Sequence, residues 1–221
     1  MSNRYTIYTP PPHTILHILF QDEHLLVVNK PAGLLSVPGK GLEKQDCLVS
    51  RCAAEFGEIH VAHRLDMSTS GIIVFARSKD AVRAMNQLFA GRDVSKTYIA
   101  VVDGLIEQDS GEINAPLMVD WPNRPKQKID AEGKPSHTHY KVIDRNEKTN
   151  TSRVELIPIT GRSHQLRVHM MFLGHAILGD EFYASDAAFQ KSERLLLHAT
   201  QLHFIHPFTE QPLHIQCPPD F

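Results

Sequence analysis

The sequence predicts an α+β fold, a largely antiparallel mixed sheet flanked by helices and loops. Short apolar, β-branched runs recur along the chain, only about three windows carry helical periodicity, and the two kinds do not alternate as βαβ units do. The 221 residues, 42% of them hydrophobic, suffice for one large domain or two small lobes with a substantial core. No internal repeat or low-complexity tract interrupts them.

Residues 1–14 read as a flexible lead with a Pro10-Pro11-Pro12 run, and 15–221 as a single folded domain. The apolar residues of 15–20 and 24–28 predict strand that stops at the Asn29-Lys30-Pro31-Ala32-Gly33 turn. After Asp46, a residue type suited to an N-cap, Leu48, Cys52 and Phe56 recur at four-residue spacing, and Gly57 closes the helix. Residues 72–76 form a buried strand, and Ser78 caps a second helix with Val82, Met85 and Phe89 on one face. A strand over 96–102 ends at Asp103-Gly104, and the Pro- and Lys-rich segment 121–128 reads as an exposed loop. Strands are expected over 138–143, 153–157 and 202–205. Leu166, Met170 and Leu173 predict a helix over 163–173, stopped by Gly174.

Several function classes drop out at this level. The longest apolar runs, 25–28 and 72–76, are far shorter than the roughly 20 residues of a membrane-spanning helix. The polar, proline-bearing start lacks the apolar core of a signal peptide, so a cytoplasmic protein without membrane partners is expected. Three cysteines, an odd number, read as free thiols in a reducing compartment. No GxGxxG, phosphate-binding GKS or GKT, CxxC or HExxH string is present, and no cofactor or metal is expected. The net charge of -2, from 23 basic and 25 acidic residues, argues against a polyanion partner when taken as a mean. Its distribution argues otherwise: Arg124, Lys126, Lys128, Lys134 and Lys141 cluster within 121–141, and Arg162 and Arg167 lie in an acid-free stretch, 159–170. A small basic face implies few phosphate contacts and recognition by shape and splayed bases.

The densest chemistry is the string His63-Arg64-Leu65-Asp66-Met67-Ser68-Thr69-Ser70-Gly71, which leads into the buried strand. A charged cluster at such an edge must be paired or used in a cleft. An isolated Arg-x-Asp reads most simply as a turn whose Asp caps backbone amides; nine such residues together carry more information. The string resembles the signature of the RluA family of RNA pseudouridine synthases. VVNKPAGLLSVPG (27–39), KTYIAVV (96–102), ITGRSHQLRVHM (159–170), GHAILGD (174–180) and RLLLHA (194–199) resemble further family segments in the same order.

The resemblance implies the pseudouridine synthase catalytic fold with an active-site cleft across the sheet. It makes Asp66 the catalytic carboxylate, Tyr98 the ring that stacks on the target uracil, and Leu197 the apolar wall facing it. A carboxylate in a closed pocket stays charged only beside a cation, and the resemblance places Arg167 there. Arg64 corresponds to an arginine that occupies the place vacated by a flipped base. Trp121, Arg124, Lys126 and Lys128 have the composition of a single-strand RNA contact, and Arg162 joins them as a candidate substrate-binding cation. The resemblance is strongest to members acting on both 23S ribosomal RNA and the tRNA anticodon stem-loop, without an S4-type domain; RNA is the expected partner, DNA is not, and a monomer is expected.

Alternatives stay open beside it. One is a family member with a single tRNA or rRNA substrate, and another a non-catalytic RNA-binding ribosome-assembly factor. A metal enzyme is prompted by 14 His, with His137 and His139 on one strand face, though His164 and His169 are spaced poorly for one helix face. A glycosidase performs related anomeric chemistry but normally needs a second carboxylate, and only Asp66 stands out.

Overall fold

A computed structural model describes residues 8–221. The chain opens with strands β1 (Ile18–Gln21) and β2 (Leu25–Lys30), helix α1 (Leu48–Phe56), strands β3 (His60–Val61) and β4 (Ser70–Ala76), and helix α2 (Lys79–Gly91). There follow β5 (Ser95–Asp103), β6 (Ser110–Asn114), β7 (Leu117–Val119), β8 (Gln127–Ile129), β9 (His137–Asn146), β10 (Thr151–Pro158), helices α3 (Gln165–Phe172) and α4 (Asp186–Gln190), and finally β11 (Leu197–Ile205) and β12 (Pro212–Gln216). These group into two compact units, one holding the chain up to Lys96 together with His198–Asp220, the other Thr97–Leu197 with Phe221.

In the first unit β4 is central. All seven of its residues are buried, as a continuous apolar run flanked on both sides requires. It pairs antiparallel with β2 on one edge and parallel with β11 at Ser70 and Gly71, while β1 pairs with β2 and β12 with β11, both antiparallel. That parallel pairing makes the sheet mixed, as expected. Gly71 sits at φ +108°, and a Cβ there would lie 2.3 Å from the Ala199 carbonyl oxygen, so only glycine lets the two backbones meet. The second unit is an antiparallel sheet in the order β5, β10, β9, β6, with β7 and β8 forming a separate hairpin.

Of the two expected helix caps, one is found and one is replaced. Ser78 caps α2, its hydroxyl accepting from the Ala81 amide, but α1 is capped by Cys47 and Ser50 rather than by Asp46. The Asp46 carboxylate instead takes both prongs of Arg51 at 2.8 Å, which also holds it below its usual pKa. Of the expected flexible lead, residues 1–7 lie outside the described residues. Beyond them the Tyr8 hydroxyl donates to the Asp46 carbonyl and accepts from the Leu35 amide, and Arg51 donates to the Pro11 carbonyl.

The third predicted helix starts two residues late. The Gln165 amide oxygen accepts from the Thr160 hydroxyl at 2.8 Å and the Arg162 amide at 3.0 Å, which pins 160–164 as a turn, and His164 is left-handed at φ 55°. Residues 121–128 are likewise not one open loop. Trp121 to Arg124 are exposed, but Gln127 already belongs to β8 and pairs with Val119, so the segment is the tip of a hairpin. All three cysteines are buried free thiols, and burial pushes Cys52 up to about 12. Among the described residues no helix is long and apolar enough to cross a membrane.

Candidate active site

Asp66 lies in the loop between β3 and β4, half-buried, and the loop is fixed on both sides of it. Before it, the Ser36 hydroxyl donates to the Leu65 carbonyl at 2.7 Å and accepts from the Leu65 amide at 3.2 Å. After it, the Met67 carbonyl accepts from the Gly33 amide and from Lys30 Nζ, both at 2.9 Å. Lys30 is wholly buried and donates in addition to the carbonyls of Pro31 and Leu34 at 2.9 and 2.7 Å. Three acceptors match the three protons of an ammonium. The 27–39 segment is therefore the floor on which the aspartate loop rests, since Lys30 and Ser36 both hold main-chain atoms adjacent to Asp66.

Burial pushes Lys30 down to about 7, against the opposing pull of Asp66. Its pKa in the fold thus lies below that in the unfolded chain. Between about pH 7 and the ordinary lysine range the unfolded state binds the extra proton, so stability rises with pH across that window, by up to ~1.4 kcal/mol per unit. Lys30→Met, which fills the same volume without a proton, is expected to lose this rise. Urea unfolding of both proteins at about pH 6 and about pH 9 checks it, and parallel pH dependences would contradict the assignment.

The rest of the 63–71 string divides between structure and exposure. His63 Nε2 accepts from the Val74 amide at 2.9 Å, and its ring packs on Phe89. Burial, with Lys96 nearby, pushes its pKa down to about 3, so it is neutral and takes no part in proton transfer near pH 7. Ser70 Oγ lies 2.8 Å from His198 Nδ1, whose Nε2 meets the Cys217 carbonyl. This dyad buttresses the β4–β11 pairing. Arg64 alone among the charged residues of the string is exposed.

In the second unit Tyr98 stands half-buried on β5 opposite Leu156, against the core cluster that includes Leu197. Helix α3 is buried from Gln165 through Met170. Leu166 and Met170 enter the main cluster, Val168 packs with Leu117 and Tyr183, and the polar members must find partners inside. Arg167, only 1% exposed, is no solvated surface residue. Its guanidinium grips both oxygens of Asp180 at 2.8 and 2.7 Å, reaches Glu181 at 3.2 Å, and lies 5.0 Å from the Phe182 ring centre. Asp180, at 0% exposure, also accepts from the amides of Phe182 and Tyr183.

At the hairpin tip Arg124 stacks on Trp121 at 4.6 Å, and Trp121 is 64% exposed. Trp121, Lys134 and Arg162 line one open cavity of about 410 Å³. Lys126 is half-buried, and Lys128 is tied to Asp130 at 2.7 Å. The structural residues Lys30, Ser36 and Asp180 carry no local signal of their roles, apart from a lysine ending an apolar strand and a carboxylate closing GHAILGD.

A clamped aspartate loop on a mixed α+β sheet defines the class, and residues 24–171 match the family of RNA pseudouridylate synthases, to which the chain belongs. It is an RNA-modifying isomerase. It is 53% identical to the dual-specificity RNA pseudouridine synthase RluA of Pasteurella multocida (strain Pm70), over 97% of this chain and 98% of that one. It is 49% identical to the protein of the same name from Escherichia coli (strain K12), with the same coverages. The solved structure of human RNA pseudouridylate synthase domain containing 1 matches with a TM-score of 0.78 and 29% identity, over 96% of this chain and 87% of that one.

Proposed function

We propose that this isomerase acts on two RNAs in the cytoplasm, one uridine in 23S ribosomal RNA and one in the tRNA anticodon stem-loop, with Asp66 as the catalytic carboxylate. The carrying observation is the Asp66 loop, held by Lys30 and Ser36 through its own backbone. The two substrates rest on relatives of 53% and 49% identity that are named dual-specificity.

The reaction breaks the bond from ribose C1′ to uracil N1, turns the base, and joins C1′ to C5. The C5 proton leaves and N1 ends protonated, so atoms and electrons balance without an oxidant. A carboxylate serves by attacking the electron-poor anomeric carbon or by taking a proton from the sugar. Tyr98 stacks on the uracil and assists loss of the C5 proton, Leu197 walls the ring, and Arg167 supplies positive charge. Arg64, exposed, fills the gap left by the flipped nucleotide at a cost of roughly a few kcal/mol of lost stacking that its own stacking offsets. Trp121 with Arg124, and Arg162 across the same cavity, offer an aromatic face and cations to the RNA strand. Lys126 and Lys128 add charge at the hairpin.

The test uses stem-loops derived from 23S ribosomal RNA and from tRNA, tritiated at uridine C5. Purified protein is expected to release tritium from both, without free uracil and in the presence of a chelator. Release of uracil would mean hydrolysis, and turnover of only one stem-loop would remove the dual reading.

A further inference from the structure

The exposed face of β6 and β9 brings together three side chains that the reaction leaves unused. His137 and His139 are two apart on β9, so both leave the same face of the sheet, and Glu112 on β6 is the register partner of His139. His137 Nε2 lies 3.0 Å and His139 Nδ1 3.9 Å from Glu112 Oε2. One ligand atom from each residue falls within 4.8 Å of the other two.

We propose that Glu112, His137 and His139 form a binding site for a single Zn²⁺ ion, with solvent completing its coordination. Two imidazole nitrogens and a carboxylate oxygen are a zinc donor set. At bond lengths of about 2.0–2.1 Å, neighbouring ligands of a tetrahedral ion stand about 3.3 Å apart, and the observed 3.0 and 3.9 Å bracket that spacing. Glu112, 62% exposed, can follow the ion, and the two imidazole nitrogens, within 4.8 Å of each other, close on it by rotation of the half-exposed His139 ring.

The histidines are fixed at the main chain. The His137 amide donates to the Thr160 hydroxyl at 2.9 Å, and its carbonyl accepts from the Ile159 amide at 3.0 Å and from Gln165 Nε2 at 2.9 Å. Four backbone positions flanking His139 are locked in register with β10. The ion replaces the proton between His137 Nε2 and Glu112, and neutral His137 then carries its proton on Nδ1. Mg²⁺ and Ca²⁺, which prefer all-oxygen shells, are poor occupants. All three thiols are buried, which reduces competition from cysteine.

The experiment titrates the chelator-stripped full chain with Zn²⁺ by calorimetry and with Co²⁺ by visible absorption. One equivalent is expected to bind with micromolar affinity, to give the intense absorption of low-coordinate cobalt, and to raise the melting temperature. His137→Gln combined with His139→Gln is expected to lose this equivalent, about 100-fold in affinity, and Glu112→Gln to weaken it about tenfold. Circular dichroism of the metal-free variants establishes that they fold. Failure of the wild-type protein to bind zinc, equal binding by the double variant, or equally tight Mg²⁺ binding would overturn the proposal and leave Glu112 and His137 as a hydrogen-bonded pair only.

Discussion

Asp66→Asn is expected to lower turnover by at least about 10³-fold while leaving affinity for the RNA stem-loop within about twofold. The amide keeps the size and most hydrogen-bonding capacity of the carboxylate but lacks its charge and its nucleophilic oxygen. The loop keeps main-chain anchors in the variant, because Ser36 holds Leu65 and Lys30 holds Met67 through backbone atoms. Loss of activity in this variant therefore reports chemistry rather than collapse. Tritium release from a C5-labelled stem-loop measures the first quantity and filter binding the second, with circular dichroism as the check on folding. Normal turnover by Asp66→Asn would end the assignment of this residue as catalytic.

Asp180→Asn is expected to destabilise the fold by about 3–5 kcal/mol, the usual cost of removing one partner from a buried ion pair. Asp180 is fully buried and receives two guanidinium hydrogen bonds and two backbone amides, so an asparagine leaves Arg167 short of charge and introduces an NH₂ group where only acceptors fit. Glu181 at 3.2 Å, 19% exposed, compensates in part. A double variant, Arg167→Met with Asp180→Leu, is expected to recover part of the loss, since an apolar pair of similar volume often replaces a buried ion pair without cost, whereas the Phe182 and Tyr183 amides still lose their acceptor. Equilibrium urea unfolding gives both values. Turnover separates the roles of Arg167: recovered stability with activity still absent supports a part in the reaction, whereas recovered activity would reduce it to a strut.

The elements legible in the sequence are those in which local spacing and burial agree. The all-buried β4, the Ser78 cap of α2, and the Leu166 and Met170 face of α3 follow from composition and period alone. The short strands β6, β7, β8 and β12 do not, because three to five residues are too few to show a period, and β6, β8 and β12 also carry Gly, Pro or charge. Asp46 looked like a cap because the type fits, but a bidentate arginine five residues on competes for the same oxygens. For the candidate site, the motif around Asp66 is what singles it out as the proposed carboxylate. The contacts that hold its loop are not legible there, since Lys30 reaches Met67 across 37 residues of sequence, and the same holds for Asp180, whose partner Arg167 lies 13 residues away.

Helices α2 and α3 differ sharply in how they can vary. In α2 only Ala81 and Met85 of thirteen residues are buried, so most of that helix is free to drift among polar residues at little penalty. In α3 six consecutive residues are enclosed, and three of them, Gln165, Arg167 and His169, are committed to specific acceptors or donors. A saturation library over both helices would therefore return intolerance confined to one face of α2, at Ala81, Met85 and the Phe89 ring that packs on His63, and a continuous block of intolerance over α3, without the every-third-residue relief that an amphipathic helix shows.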